Sequence, residues 1–169
     1  DAEHARAVDM HEPGAGGPVN RAEENNAPFR RAGTPGGGGY ASARAMVAFY
    51  QMLVAGGTLN GKRLLSTRMV QYVTRSVTGD RVDGYMGMPM HRALGPHVRG
   101  TTETIRGLGS IASPRTFGHG GVGSSYCWAD PDSGVSFAYL TNSRVPDPWH
   151  SARLDVISNT AHAAILPDR

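Results

Sequence analysis

The residues able to do chemistry are few, and the nucleophiles are the first to weigh. A Gly-x-Ser-x-Gly elbow does not occur. A Ser-x-x-Lys element would set a hydroxyl and an amine on one face of a helical turn. Lys62 is the only lysine, however, and Leu59 stands three positions before it. Ser-Lys catalysis carried wholly within this chain therefore fails, and a Tyr-x-Asn element is missing as well. What remains is Phe117-Gly118-His119-Gly120-Gly121-Val122-Gly123-Ser124-Ser125, with four glycines among its first seven residues. Glycines entering a strand let a backbone approach another object closely. Exposed N–H groups there can hold an oxyanion or bind a substrate edge. The same residues also read as a glycine-rich bend at a strand start, with His119 an ordinary surface or hydrogen-bonded histidine. Pattern alone leaves both readings open.

The other reactive side chains point to structure. Cys127 is the single cysteine, so no intramolecular disulfide forms. It lies between Tyr126 and Trp128, where a buried inert thiol is expected. Asp80, Asp83, Asp130 and Asp132 sit at turn sequences, where aspartate bonds local backbone rather than pairing for acid–base work. Met86, Met88 and Met90 read as core filler. The seven histidines form no His-x-x-x-His or His-Glu-x-x-His pattern, so neither a metal nor another cofactor is expected. The net charge of +3 is spread singly along the chain, with only Arg30-Arg31 and Lys62-Arg63 adjacent. That is not the basic stripe of a nucleic-acid-binding module. No apolar run reaches the roughly 20 residues of a membrane span.

These residues need elements to hold them. Residues 1–39 are rich in glycine, proline, asparagine and charge, and predict a weakly ordered segment. From Ser42, a plausible N-cap, the apolar positions Met46, Phe49, Tyr50 and Leu53 follow one helical face until Gly56-Gly57. Asn60-Gly61 predicts a tight turn. A second helix follows Ser66, with Met69, Val70 and Val73 inward. Tyr85, Met88 and Met90 alternate as a strand would, though Gly and Pro interrupt them. Val122–Ala129 and Val135–Thr141 form a predicted antiparallel hairpin across Asp130–Gly134. Asp147-Pro148 then reads as N-cap and N1 of a last helix burying Leu154, Ile157, Ala161 and Ala164 or Ile165. This order predicts an α+β fold, with helices packed on an antiparallel sheet.

Taken in order, these segments resemble the C-terminal region of the β-lactamase-like serine hydrolases: class C β-lactamases, D-alanyl-D-alanine peptidases and their esterase relatives. Gly36–Phe49 is similar to the family's glycine-rich turn and helix, and Gly56–Ser66 to its next linker. Phe117–Gly123 resembles the third active-site motif, and Trp128–Asn142 the hairpin after it. The likeness covers about residues 33–165. It implies a partial β-lactamase/penicillin-binding-protein-like fold over residues 40–169.

In that family a Ser-x-x-Lys helix supplies nucleophile and base and a tyrosine motif assists proton transfer, both earlier in the chain. The resemblance therefore implies a C-terminal portion that is inactive alone and whose partner is the N-terminal portion of the same protein. By position, His119 would face the pocket and touch substrate or the tyrosine's proton network. Gly120 and Gly121 would keep the strand edge clear for a small ester or amide substrate, and the Val122 N–H would be an oxyanion donor. Histidine in place of lysine in this motif leans towards esterase or peptidase members over true β-lactamases. The family's Ser-Thr-Ala-Arg-Asp helix entry is here Ala41-Ser42-Ala43-Arg44-Ala45, without its acidic residue. The alternative is a non-catalytic remnant or binding module that uses the glycine-rich strand edge for a partner.

Overall fold

Two serines decide where the first long helices start. Ser42 has extended backbone, and its hydroxyl accepts from Ala45 N at 3.2 Å. Ser66 repeats the arrangement with Met69 N at 3.1 Å. Each satisfies a donor that a first helical turn leaves over, which is worth about 1 kcal/mol against alanine. The computed structural model describes residues 10–11, 18–19, 27–102, 107–121 and 123–165. Its elements are β1 (Met10–His11), β2 (Pro18–Val19), α1 (Ala27–Ala32), α2 (Ala43–Val54), β3 (Thr58–Leu59) and β4 (Lys62–Arg63). After these come α3 (Thr67–Thr74), β5 (His97–Val98), β6 (Phe117–Gly120), β7 (Tyr126–Asp130), β8 (Val135–Tyr139) and α4 (Trp149–Ala163).

The main sheet is antiparallel, in the order β5-β6-β7-β8. Strand β7 is buried along its whole length, because helices cover both faces. The pleat sends Cys127 and Ala129 to one side, where Tyr50, Met52 and Leu53 of α2 pack with Val70 of α3 and Phe117 of β6. It sends Tyr126 and Trp128 to the other, where they meet Leu154 of α4 and Leu108. Helix, sheet and helix thus make the α+β architecture that the element order predicts. Asn60 and Gly61 both have positive φ and close the β3–β4 hairpin with the two-residue turn their types favour.

Several boundaries differ from expectation. Strand β7 begins at Tyr126 rather than Val122, because Gly121 N donates to Ser125 O at 2.9 Å and the chain turns there. Strand β8 ends at Tyr139. No strand runs through Tyr85–Met90: Asp83 Oδ1 accepts from the backbone N–H groups of Tyr85 and Met86 and folds them into a turn. Only an isolated Val82–Pro89 bridge remains, and of the three methionines only Met90 is buried. The buried face of α2 centres on Tyr50 and Leu53, so Phe49 is left half-exposed and covers the edge of the Tyr50 ring at 5.6 Å. Met69 is likewise exposed on α3.

Helix α4 departs most. Its N-cap is Pro148, one residue later than predicted, while Asp147 Oδ1 still accepts from Ser151 N at 3.1 Å. Its buried positions are His150, Leu154, Ser158 and His162, and Ala164 is exposed. Polar side chains are tolerated inside because each finds a partner. Trp128 Nε1 donates to Ser158 Oγ at 3.1 Å, and Ser158 Oγ donates to Gly107 O at 2.6 Å. His162 bonds Leu108 O at 2.9 Å and stacks on Trp128 at 4.1 Å. Within residues 1–39, β1 pairs with β2, and α1 has no buried residue.

Candidate active site

The β5–β6 ladder pairs His97 with Gly118 and Val98 with Phe117. The next residue along β5 is Pro96, which has no N–H to donate, so the ladder stops short of His119. The last two residues of β6 therefore reach beyond their neighbour and form one wall of a groove of about 1180 Å³. Thr34, the 36–41 segment, Met46 and Tyr50 of α2, Ser124–Cys127, Leu140–Asn142 and Arg144 line the rest. His119, Gly120 and Gly121 thus meet at one place. Val122 lies outside the described residues.

His119 is exposed, and its Nδ1 lies 2.8 Å from Gly120 O. A carbonyl can only accept, so Nδ1 carries the proton and Nε2 is left as the ring's acceptor. That nitrogen can take a proton from a hydroxyl or, once protonated, donate to a substrate oxygen. The His97 ring lies against His119 at 4.7 Å between centroids. Across the sheet His119 pairs with Cys127. Burial raises the Cys127 thiol, against a small opposing effect of the Tyr139 backbone, so the thiolate a nucleophile needs is disfavoured. Burial also holds the Tyr50 phenol far above its ordinary range, with the neighbouring Cys127 adding to the effect and the His119 backbone opposing it.

The three glycines have different reasons for being glycine. A Cβ on Gly118 would collide with Cys127 O and the fully buried Trp128. On Gly120 it would lie 2.5 Å from the Tyr126 ring and 2.8 Å from Ser125 O. Both are demanded by packing within the sheet. On Gly121 the nearest atom is Ser124 Oγ at 3.3 Å, a hydroxyl that can turn away. Of the pair expected to keep the strand edge clear, only Gly121 borders space that packing leaves open.

The turn after β6 is held from α4. Arg153 donates to Gly123 O at 3.0 Å and Ser143 O at 3.2 Å, and His150 lies 3.3 Å from Arg153 with its ring facing the Gly121 carbonyl. Sequence reading missed both residues; the one signal available was an Arg and a His spaced i, i+3 on a helix otherwise read as apolar. Ser125 Oγ donates to Ser124 Oγ at 3.3 Å, and neither hydroxyl bonds an imidazole, so no activated serine faces the groove among the described residues. Lys62 does not line it.

Asp83 and Asp130 serve turns, as expected, whereas Asp80 accepts from Thr102 Oγ1 at 2.7 Å and Asp132 pairs with Arg115 at 2.6 Å. Burial would raise Asp130, but the hydroxyls of Ser133 and Ser113, the Asp132 N–H and the field of His162 outweigh it and lower it. Arg92 and the N–H groups of Met86 and Tyr85 bring Asp83 down to about 2. Among the described residues no three His, Cys, Asp or Glu side chains gather as a metal site, and no helix is long and apolar enough to cross a membrane.

A family model described as Beta-lactamase matches residues 1–161. The esterase/beta-lactamase LipL of Mycobacterium tuberculosis is 33% identical over 133 residues, 79% of this chain and 28% of that protein. A penicillin-binding protein homologue from Caulobacter crescentus superimposes with a TM-score of 0.71 at 29% identity, covering 96% of this chain and 46% of the homologue. A family VIII carboxylesterase superimposes with a TM-score of 0.69 at 26% identity, covering 94% and 44% of the two chains. The chain spans less than half the length of each of these relatives.

Proposed function

The chain belongs to the beta-lactamase family, and from that membership we propose that it is the C-terminal portion of a serine hydrolase acting on an ester or amide, of esterase or D-alanyl peptidase type rather than a true β-lactamase. The observation that carries the reading is the groove wall: His119, Gly120 and Gly121 line one cavity, and His119 is held with Nε2 as its acceptor. In this reading His119 exchanges a proton with substrate or with a hydroxyl supplied from elsewhere in the protein. Gly121 leaves room for the scissile group, and Val122 N–H is a donor to the oxyanion. Loss of one such donor typically costs about 10²–10³ in rate. The nucleophile comes from a Ser-x-x-Lys element that these 169 residues lack, so the covalent route needs the rest of the protein. The resemblance of the chain to two esterase-type relatives and one penicillin-binding protein homologue supports this reading over that of a binding module.

The test is a pre-steady-state burst with a nitrophenyl acyl ester on the purified chain. No stoichiometric burst is expected. A burst that survives Cys127→Ala would show a nucleophile inside the chain and refute the division of labour. One abolished by that substitution would reassign the chemistry to the thiol.

A further inference from the structure

His119 is backed by three residues that its own strand does not supply. The chain folds into a tight hairpin in which Arg92 bridges to His97 and Ala93 N donates to Pro96 O at 2.9 Å. This turns the His97 ring onto His119, 4.7 Å away and inclined by 40°. Behind it, Arg92 NH1 lies 3.0 Å from His97 Nε2, and Arg92 Nε donates to Asp83 Oδ2 at 2.7 Å. A guanidinium has donors only, so His97 accepts at Nε2 and carries its proton on Nδ1. A proton added at Nε2 would set an N–H against the guanidinium and break this contact.

We propose that Asp83, Arg92 and His97 form a positioning set that fixes the ring orientation and tautomer of His119, with His97 as the member in contact. The inference rests on the reading of His119 as the groove's proton-handling group, and it deepens that reading. A ring pressed against His119 restricts rotation about its outer torsion, which keeps Nδ1 on Gly120 O and Nε2 as the acceptor. With Nε2 turned to the guanidinium, His97 does this through ring contact, 4.7 Å from the imidazole. The other titratable groups on this wall are Tyr50 and Cys127, both held neutral by burial, and Arg92, whose charge Asp83 balances. An ordered imidazole with a defined tautomer is what proton transfer to a positioned substrate needs.

The experiment reads ring-nitrogen tautomers by long-range ¹H–¹⁵N correlation on the 169-residue chain, with His97 and His119 assigned by substitution. In the unaltered protein both should appear as single Nδ1–H tautomers. His97→Ala should move the His119 ring signals towards the average of two tautomers. His97→Phe, which keeps a flat ring in place, should restore most of the single-tautomer pattern. Arg92→Gln, at a half-exposed position, should let His97 itself average.

A His119 pattern unchanged in His97→Ala would overturn the proposal, as would His97 found with its proton on Nε2. If His97→Ala does not fold, an unaltered His97 tautomer in Arg92→Gln is equally fatal. Failure of the functional reading shows elsewhere: turnover in the longer hydrolase that ignores His119→Ala removes the catalytic role, yet leaves the positioning measurement standing.

Discussion

Alanine at Gly118, Gly120 and Gly121 separates packing from function residue by residue. At Gly120 the added methyl would sit 2.5 Å from the Tyr126 ring and 2.8 Å from Ser125 O. The ring is buried against Leu108, Trp128 and Leu154, and the oxygen belongs to the backbone, so neither gives way cheaply. Overpacking of this kind costs about 1–3 kcal/mol. Against it stands a gain of about 0.4–1 kcal/mol from restricting the unfolded chain, because the backbone there is open to alanine. The net loss is about 1–2 kcal/mol, which for a chain of this size lowers Tm by roughly 2–8 °C.

Gly118→Ala should lose more, since it meets Cys127 O and the wholly buried Trp128. Gly121→Ala meets only Ser124 Oγ at 3.3 Å, so gain and clash nearly cancel, within about 0.5 kcal/mol. Urea unfolding followed by far-UV circular dichroism and by Trp128 fluorescence measures all three. The reasoning is refuted if Gly120→Ala is as stable as the unaltered protein, or if Gly121→Ala loses as much as Gly120→Ala. If the chain is part of a longer hydrolase as proposed, Gly121→Ala should then impair turnover of that protein at unchanged stability, because its methyl enters the groove.

Three further outcomes follow from α4. Ser158→Ala strands the indole N–H of Trp128 and the Gly107 carbonyl in a buried place, and should cost about 1–3 kcal/mol in urea titration. His150 and His162 are both lowered, first by burial, with Arg153 adding to the effect at His150 while carbonyls and carboxylates oppose it. Their folded values lie below their unfolded ones, so their contribution is complete above the unfolded value of about 6.5 and is lost as pH falls through the folded values. Unfolding free energy should decline between pH 7.5 and 5, above the carboxylate range, by up to about 1.4 kcal/mol per pH unit for each proton taken up. His162→Phe should flatten that slope, and an unchanged slope would discount His162. Arg153→Met removes the donors to Gly123 O and Ser143 O, and amide exchange at Gly123–Ser125 should quicken more than exchange in β7.

What the sequence discloses depends on how far apart the interacting groups are. The two serine caps, the Asn60-Gly61 turn and the β7–β8 connection each close within a few residues, and their residue types carry the geometry directly. His119 and its glycines were legible as a motif, and its order among flanking segments pointed to the family. The wall's supports were not. His97 reaches His119 only because Pro96 and Gly95 turn the chain back, and Arg92 reaches His97 only through that hairpin. The alternation of Tyr85, Met88 and Met90 mimics a strand, yet one Asp83 carboxylate redirects it by capturing two backbone N–H groups.

Helix α4 shows the same limit on a larger scale. A hydrophobic reading finds Leu154, which is buried, and Ala161 and Ile165, which pack against the core, but passes over His150, Ser158 and His162, which complete the buried stripe spaced four apart. Their polar partners lie on Leu108, Gly107 and Trp128, remote in sequence. A polar residue is buried when its bonds are met inside, and that condition belongs to the fold as a whole. The same condition ties α4 to the groove: the helix end that carries His150 and Arg153 holds the turn after Gly121, while its other end stacks His162 on the strand behind it. A change at either end should therefore reach the glycine turn through a rigid helix rather than through the groove itself.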